Sequence, residues 1–379
     1  MRPNSIALFT WGVSGGASTN YAAALANGFA ELGVEEIHVV YLNGEVGRNV
    51  SLPRNAVPVP LGVSRAVFSP LPLARFLRTS RPDFLISTLS IINIPAILGW
   101  AISGRKATRL IVSEHATMSY EVYVEHAGDI RFRVIPALAR WLYPRANGLQ
   151  ANSDEVLRDL LDTIGVQMHG RSISIPNPVN IEHVVQKSRE IPSHPWIRNK
   201  DTQLILSVGR LAKQKNFELL IRALATVRQH ENVRLLILGN GAYRNELEQL
   251  SRRLGLAEYV DLPGRVDNPW SYMAHADLFV LPSEAEAFGL VLVEAMACGI
   301  PVVATDAIGG GPRFILKGGK YGLLVPNGDE QALASGISQL LKDPSMRKYY
   351  SEKSLERCND FRPAAIANQW LDFLGRLTR

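Results

Sequence analysis

Cysteine is nearly absent: the 379 residues hold two, Cys298 and Cys358. That excludes a disulfide framework and the multi-cysteine zinc patterns, and it suits a reducing compartment. Long apolar runs are missing too. Ser5-Ile6-Ala7-Leu8-Phe9-Thr10 runs into glycines, too short a stretch for a secretory leader and without a small-residue cleavage site. One uncharged stretch has membrane length, Phe84–Ser103, but Ser87, Thr88, Ser90, Asn93 and Pro95 interrupt it. It parses better as a strand over Phe84–Ser87, a loop, and a helix from about Pro95. No Gly-x-Gly-x-x-Gly follows the first strand, which removes the fingerprint of a nicotinamide-dependent oxidoreductase, and no phosphate loop with Gly-Lys-Ser/Thr occurs. Charge of neither sign dominates: 41 Lys and Arg against 35 Asp and Glu give +6. This permits a phosphate-bearing ligand or an anionic surface, and no nucleic-acid recognition motif accompanies it.

What is present is a recurring unit of short apolar strand, loop and amphipathic helix. Strands are expected at Ile6–Thr10, Ile37–Leu42, Phe84–Ser87, Leu110–Ser113, Gly148–Ala151 and Ile173–Ile175 in the first half. Leu204–Gly209, Arg234–Gly239, Tyr259–Leu262, Leu278–Pro282, Pro301–Thr305 and Gly322–Val325 follow in the second. Most are unbroken runs of Ile, Leu and Val, as in parallel strands covered on both faces. Phe217, Leu220, Ile221, Leu224 and Val227 repeat at helical spacing, with Asn216 placed as an N-cap. Two doubly wound α/β domains of about six strands each follow. The break lies between Pro176 and Lys200, and the stretch from Pro363 is helical in pattern.

In such sheets ligands sit outside the carboxyl ends of the strands. The first exit, Gly12 to Gly16, is glycine-rich and opens a helix near Thr19, which suits a plain turn or an anion. The exit at Gly209-Arg210 places Arg210 and Lys215 around a helix start, so two cations and free N–H groups converge where a diphosphate fits. Glu286 follows another strand, and Glu294 stands in the otherwise apolar stretch Leu290–Cys298. An unpaired carboxylate buried there is costly, so Glu294 is expected to face a cleft or accept hydrogen bonds from hydroxyls such as those of a ribose.

Glu286, seven residues, then Glu294, with Phe288-Gly289 between and Ala295 to Pro301 after, closely resembles the signature of family-4 retaining glycosyltransferases. Val208-Gly209-Arg210-Leu211 through Lys215-Asn216, Leu238-Gly239 with Gly241, Gly264-Arg265-Val266, Gly319 to Pro326, Gly15-Gly16 and Ser113-Glu114-His115 resemble family segments in family order. The resemblance implies the GT-B architecture: two Rossmann-like domains facing across a cleft, the last helix crossing back to the first. It implies an acceptor-binding domain over residues 1–180, a nucleotide-sugar-binding domain over 181–360, and a returning helix over 361–379.

Residue by residue, the resemblance implies that Arg210 and Lys215 neutralise a departing diphosphate and that the backbone of Phe288, Gly289 and Leu290 binds a phosphate. Glu294 would take the ribose, Arg265 and Val266 the base, with Gly209 and Gly241 bordering the donor. Glu286 would contact the donor sugar and His115 would sit beside the reacting carbon, with Gly15 and Gly16 by the diphosphate and acceptor. The chain departs from the pattern at Phe314, where relatives usually carry an acid, and at Asn240. Asp-x-Asp does not occur, so no metal is expected and cations with a helix dipole would do its work. No cofactor is implied beyond the nucleotide sugar, with UDP the expected carrier. A soluble small acceptor and a catalytically silent binding protein are the alternatives.

On the acceptor side, arginines cluster over Arg65–Arg81 and Arg131–Arg145 among Phe68, Leu71, Phe76, Leu138 and Trp141. Basic residues interleaved with apolar ones suit peripheral docking on an anionic membrane as well as an ordinary amphipathic helix. The relatives' habit of extending polyprenyl-linked glycans favours a lipid-linked saccharide. The expected place is therefore the cytoplasm, at the cytoplasmic face of a membrane.

Overall fold

A computed structural model describes residues 3–12, 17–47, 50–104, 108–198 and 202–378, without side chains at 17–19 and 131. The described chain forms two compact units, Met1–Val179 with Phe361–Arg379, and Asn180–Asp360.

The first unit holds a parallel sheet of seven strands among the described residues: β1 Ser5–Thr10, β2 Glu36–Tyr41, β3 Ala56–Pro60, β4 Phe84–Ser87, β5 Arg109–Glu114, β6 Gly148–Ala151 and β7 Ser172–Ser174, in the order β3-β2-β1-β4-β5-β6-β7. Six were expected here. The extra one, β3, carries Pro58 and Pro60 opposite Val39 and Tyr41. Proline cannot donate to a ladder, so it is tolerated only because β3 is an edge strand. Central strands are sealed on both sides, with Ile6, Leu8, Phe9, Leu85, Ile86, Leu110 and Ile111 fully buried.

The closing helix Pro363–Leu377 lies in this first unit and packs on the helix Ala17–Glu31. Gly28 permits the contact: a Cβ there would stand 2.2 Å from the Pro363 carbonyl oxygen. Trp370 and Leu374, fully buried, fill the space with Phe29 and Leu25. The uncharged Phe84–Ser103 stretch becomes β4 and the helix Ser90–Ser103, which starts before Pro95 and contains it. Side chains explain the early start: Ser90 Oγ donates to Glu114 Oε2 at 2.7 Å, and Asn93 Nδ2 also donates to this carboxylate. No helix among the described residues is long and apolar enough to cross a membrane.

The second unit holds β8 Gln203–Val208, β9 Val233–Leu238, β10 Val260–Gly264, β11 Leu278–Leu281, β12 Val302–Thr305 and β13 Leu323–Val325, parallel in the order β10-β9-β8-β11-β12-β13. The helix Phe217–Val227 buries Phe217, Leu220, Ile221, Leu224 and Val227 against β8 and β9 residues such as Ile205, Leu235 and Ile237. Asn216 occupies its N-cap position at φ 48° but makes no side-chain cap bond. In both sheets strand order reverses beside the strand that comes first in the chain, between β1 and β4 and between β8 and β11. Those reversal points open crevices at the carboxyl ends of the strands.

Candidate functional site

In the second unit the exits of β8, β9 and β10 are stitched together by backbone. Gly239 N donates to Gly264 O at 2.9 Å, and Leu211 N to Asn240 O at 2.9 Å. Two glycines make this possible. A Cβ on Gly239 would lie 1.9 Å from the Gly209 oxygen, and one on Gly241 2.1 Å from the Leu211 oxygen. Any larger residue would force the loops apart. Arg265, exposed, and Val266, half-buried, leave β10 beside them.

Across the reversal point, the exit of β11 bends back to the exit of β8. Glu284 N donates to Gln214 O at 2.9 Å, and Glu286 N to Ile308 O at 2.7 Å. Glu286 Oε2 thereby meets the Lys215 ammonium in an ion pair and accepts from Ser283 Oγ at 3.3 Å. The two charged side chains are only 20% and 13% exposed, so the pair is held in place rather than waving in solvent. Arg210 lies on the same turn as Lys215, exposed.

Gly289, at φ 96°, is the N-cap of the helix Leu290–Ala297. The left-handed conformation turns the chain sharply from Phe288 into the helix, leaving first-turn N–H groups without partners inside it. Phe288 is buried, and its backbone touches Gly311 so closely that a Cβ there would lie 2.2 Å from the Phe288 oxygen. Leu290 begins the helix, and Glu294 follows in its second turn. Burial pushes the Glu294 carboxyl up to about 7, offset in part by the approach of the Trp270 indole N–H, which closes no hydrogen bond by geometry. The same burial, with Glu294 nearby, lifts the Cys298 thiol to about 12.

In the first unit His115 leaves β5. Its ring contacts Ser113 Oγ through Nε2 at 2.9 Å and Asn177 Oδ1 through Nδ1 at 3.0 Å, and Tyr21 packs edge-on with centroids 4.4 Å apart. Desolvation lowers its pKa to about 4. Behind it, fully buried Glu114 accepts from Ser90, Asn93 and Tyr143, and burial holds its carboxyl above the ordinary range despite these donors. Gly15 and Gly16 lie outside the described residues.

The first unit also exposes many apolar side chains. Twelve of the nineteen exposed large hydrophobic residues of the described chain fall between Val67 and Trp141. Phe68 ends the short turn Ala66–Phe68, Leu71 lies in the first turn of the helix Pro70–Ser80, Leu98 and Ile102 come from Ser90–Ser103, and Leu138 and Trp141 from Ile135–Leu142. Leu73, Leu77 and Leu142, on the same segments, are core. The arginines divide as well. Arg65, Arg75, Arg133 and Arg140 are all exposed, but Arg133 donates to the Ala127 oxygen at 3.1 Å and Arg140 spends Nε on the Ile164 oxygen at 2.8 Å. Arg145 stacks 3.9 Å over the Trp141 ring.

Comparison with known proteins decides the family. The profile of Glycosyltransferase Family 4 matches residues 14–183, and that of Glycosyl transferases group 1 matches residues 188–357. The chain is 36% identical, over 70% of each protein, to the N-acetylgalactosamine-N,N'-diacetylbacillosaminyl-diphospho-undecaprenol 4-alpha-N-acetylgalactosaminyltransferase of Campylobacter jejuni. The chain belongs to glycosyltransferase family 4. It is also 30% identical to the phosphatidyl-myo-inositol mannosyltransferase of Mycobacterium leprae, over 85% of this chain and 83% of that one. The crystal structure of Anabaena HepE in complex with UDP superposes with a TM-score of 0.74 at 22% identity, covering 98% of this chain and all of that one, so the glycosyltransferase has the GT-B fold.

Of the residues singled out from sequence, the fold of the glycosyltransferase brings Lys215 onto Glu286 and sets Gly209, Gly241, Phe288, Gly289 and Leu290 around the same strand exits. His115 belongs to the other unit. Sequence reasoning missed Trp270 beside Glu294, Ser283 on Glu286, and Gln150 and Asn177 behind His115. Ser283 lies three residues from Glu286 and was within reach; Trp270, Gln150 and Asn177 come from distant segments with no local signal.

Proposed function

We propose that this glycosyltransferase moves a hexose or N-acetylhexosamine from a UDP-sugar to a glycan acceptor, with retention and without a metal, and that the acceptor is a lipid-linked saccharide met at an anionic membrane surface. The observation that carries the donor side is the Lys215–Glu286 pair, set at a sheet reversal point beside the Gly289 helix start. In transfer, the bond from the anomeric carbon to a diphosphate oxygen breaks as a bond to the acceptor hydroxyl forms. Negative charge grows on the departing UDP. Lys215, Arg210 and the open N–H groups at Leu290 meet that charge as it develops. Glu294 accepts the ribose hydroxyls, the backbone at Arg265 and Val266 lines the base, and Glu286 holds the sugar while keeping Lys215 aimed. His115 faces the reacting carbon.

The acceptor side rests on the exposed apolar side chains between Val67 and Trp141, with Arg65, Arg75 and Arg133 exposed on the same segments. Inserted side chains add burial, and each arginine near an anionic surface contributes about 1 kcal/mol. The Campylobacter relative, whose name states a diphospho-undecaprenol acceptor, supports a lipid-linked substrate, and the UDP in the Anabaena structure supports the carrier. Together these favour a place at the cytoplasmic face of a membrane.

A panel of nucleotide sugars, screened by thermal shift and then by transfer to lipid-linked saccharides, tests the reading. The expected hit is a UDP-sugar, and the glycosidic bond formed keeps the donor's anomeric configuration. An inverted product, or turnover only with another nucleotide, would overturn it.

A further inference from the structure

The carboxyl ends of β5 and β6 carry a chain of side-chain hydrogen bonds whose protons can be assigned one by one. Gln150, fully buried on β6, uses its amide nitrogen on two carbonyls, Ala151 O at 2.7 Å and Ile175 O at 2.5 Å. Turning the amide over would set its oxygen against both carbonyls, so Oε1 is fixed as the atom facing Ser113. An amide oxygen only accepts. Ser113 has a single hydroxyl hydrogen and donates it to Gln150 Oε1. What Ser113 Oγ has left for His115 Nε2, 2.9 Å away, is a lone pair, so Nε2 must supply the hydrogen.

The far side of the ring follows. In a neutral imidazole with its hydrogen on Nε2, Nδ1 is a bare acceptor. The structure places Asn177 Oδ1 3.0 Å from it, on a side chain 5% exposed between Pro176 and Pro178. Turned over, the amide presents its NH2 to Nδ1 instead, since its oxygen there would oppose a second lone pair. Among the described residues of this unit, no charged side chain is seen to act on the ring. Tyr21 offers a ring edge, and the Glu114 carboxylate is turned away to Ser90, Asn93 and Tyr143. Burial in addition pushes the His115 pKa down to about 4.

We infer that Gln150, acting through Ser113, and Asn177 are positioning residues that hold His115 as a neutral ring with its proton on Nε2. This rests, for its bearing on transfer, on the reading that His115 faces the reacting carbon. A ring whose two nitrogens are both engaged by the protein moves no proton in the reaction. It presents a fixed, uncharged face to a carbon that becomes positive in the transition state, where an imidazolium would be repulsive.

The test is nitrogen-15 NMR of the histidine rings in the full chain, with His115→Gln identifying the signals. The wild type should show a protonated Nε2 and a bare Nδ1 at pH 7, and still at pH 5. In Gln150→Leu the Ser113 hydroxyl is released to donate to Nε2, and the proton should move to Nδ1. Asn177→Asp, which keeps the shape if the leucine variant fails to fold, puts an acceptor-only group on Nδ1 and should give a cationic ring at pH 7. An Nδ1–H tautomer or an imidazolium in the wild type at pH 7, or an unchanged tautomer in both variants, would overturn the inference. Unimpaired transfer by His115→Gln would instead remove His115 from the reaction while leaving the proton assignment standing.

Discussion

Replacing Lys215 by alanine should produce two separable losses. In the free protein, Glu286 loses its cation and keeps only the Ser283 hydroxyl at 3.3 Å. With its side chain 13% exposed, water makes up little of the difference. Leaving such a group underpaired costs about 1–3 kcal/mol, and each kcal/mol lowers Tm by roughly 2–4 °C in a domain of 150–250 residues. In the reaction, the ammonium is lost where charge grows on the departing diphosphate, so kcat should fall by roughly 10²–10³, or about 2.7–4 kcal/mol. Adding Glu286→Gln separates the two effects. The double variant carries no stranded carboxylate and should regain most of the lost Tm while kcat stays low, a non-additivity expected of contacting residues. Calorimetry and initial rates with the UDP-sugar read both quantities. A Lys215→Ala enzyme with wild-type kcat and a raised KM would refute the transition-state role, because uniform binding alone behaves that way. A Tm loss that persists in the double variant would refute the stability argument.

Three further outcomes are expected. Turnover should persist in excess EDTA; complete loss, restored by manganese or magnesium, would contradict cation stabilisation by side chains and promote Glu284 and Glu286 to ligands. UDP affinity should rise with pH through about 7 as Glu294 ionises, because only the carboxylate accepts both ribose hydroxyls. The rise should vanish in Glu294→Gln. The same raised pKa makes this group's contribution to stability greatest below the unfolded carboxyl pKa and lost as pH climbs through 7, which pH-dependent unfolding of the two proteins can measure. Finally, the chain should sediment with anionic liposomes, less so as salt rises from about 50 to 500 mM because exposed charges become screened. Phe68→Ser with Trp141→Ser should weaken it, Arg140→Ser should matter less than Arg75→Ser, and a chain that stays in the supernatant at low salt would refute the docking face.

Much of the fold was legible because parallel strands advertise themselves. Runs such as Leu204–Leu206 and Leu235–Leu238 are unbroken apolar segments, since both faces are covered. β3 was hidden because Val57 and Val59 alternate with Pro58 and Pro60, and proline reads as a breaker until the strand is known to lie at an edge. The helix start at Ser90 was hidden for a different reason, being set by a carboxylate 24 residues away. At the site, Glu286, Glu294, Arg210 and Lys215 were visible because helix starts and strand exits have local sequence signs. Whether an arginine is free to meet a lipid has none: Arg75 and Arg140 read alike, and only the fold gives the second a carbonyl partner. The proton on His115 depends on Gln150 and Asn177, residues 35 and 62 positions distant in the chain, and no periodicity links them.

The most direct test of the central claim, that the strand exits from Gly209 to Glu294 hold a nucleoside diphosphate, is a calorimetric titration of the full chain with UDP in the presence of EDTA. Saturable one-to-one binding without added metal is expected, weakened at least tenfold in Glu294→Ala and in Lys215→Ala. No heat of binding at millimolar UDP in a folded protein, or binding untouched by both substitutions, would contradict it.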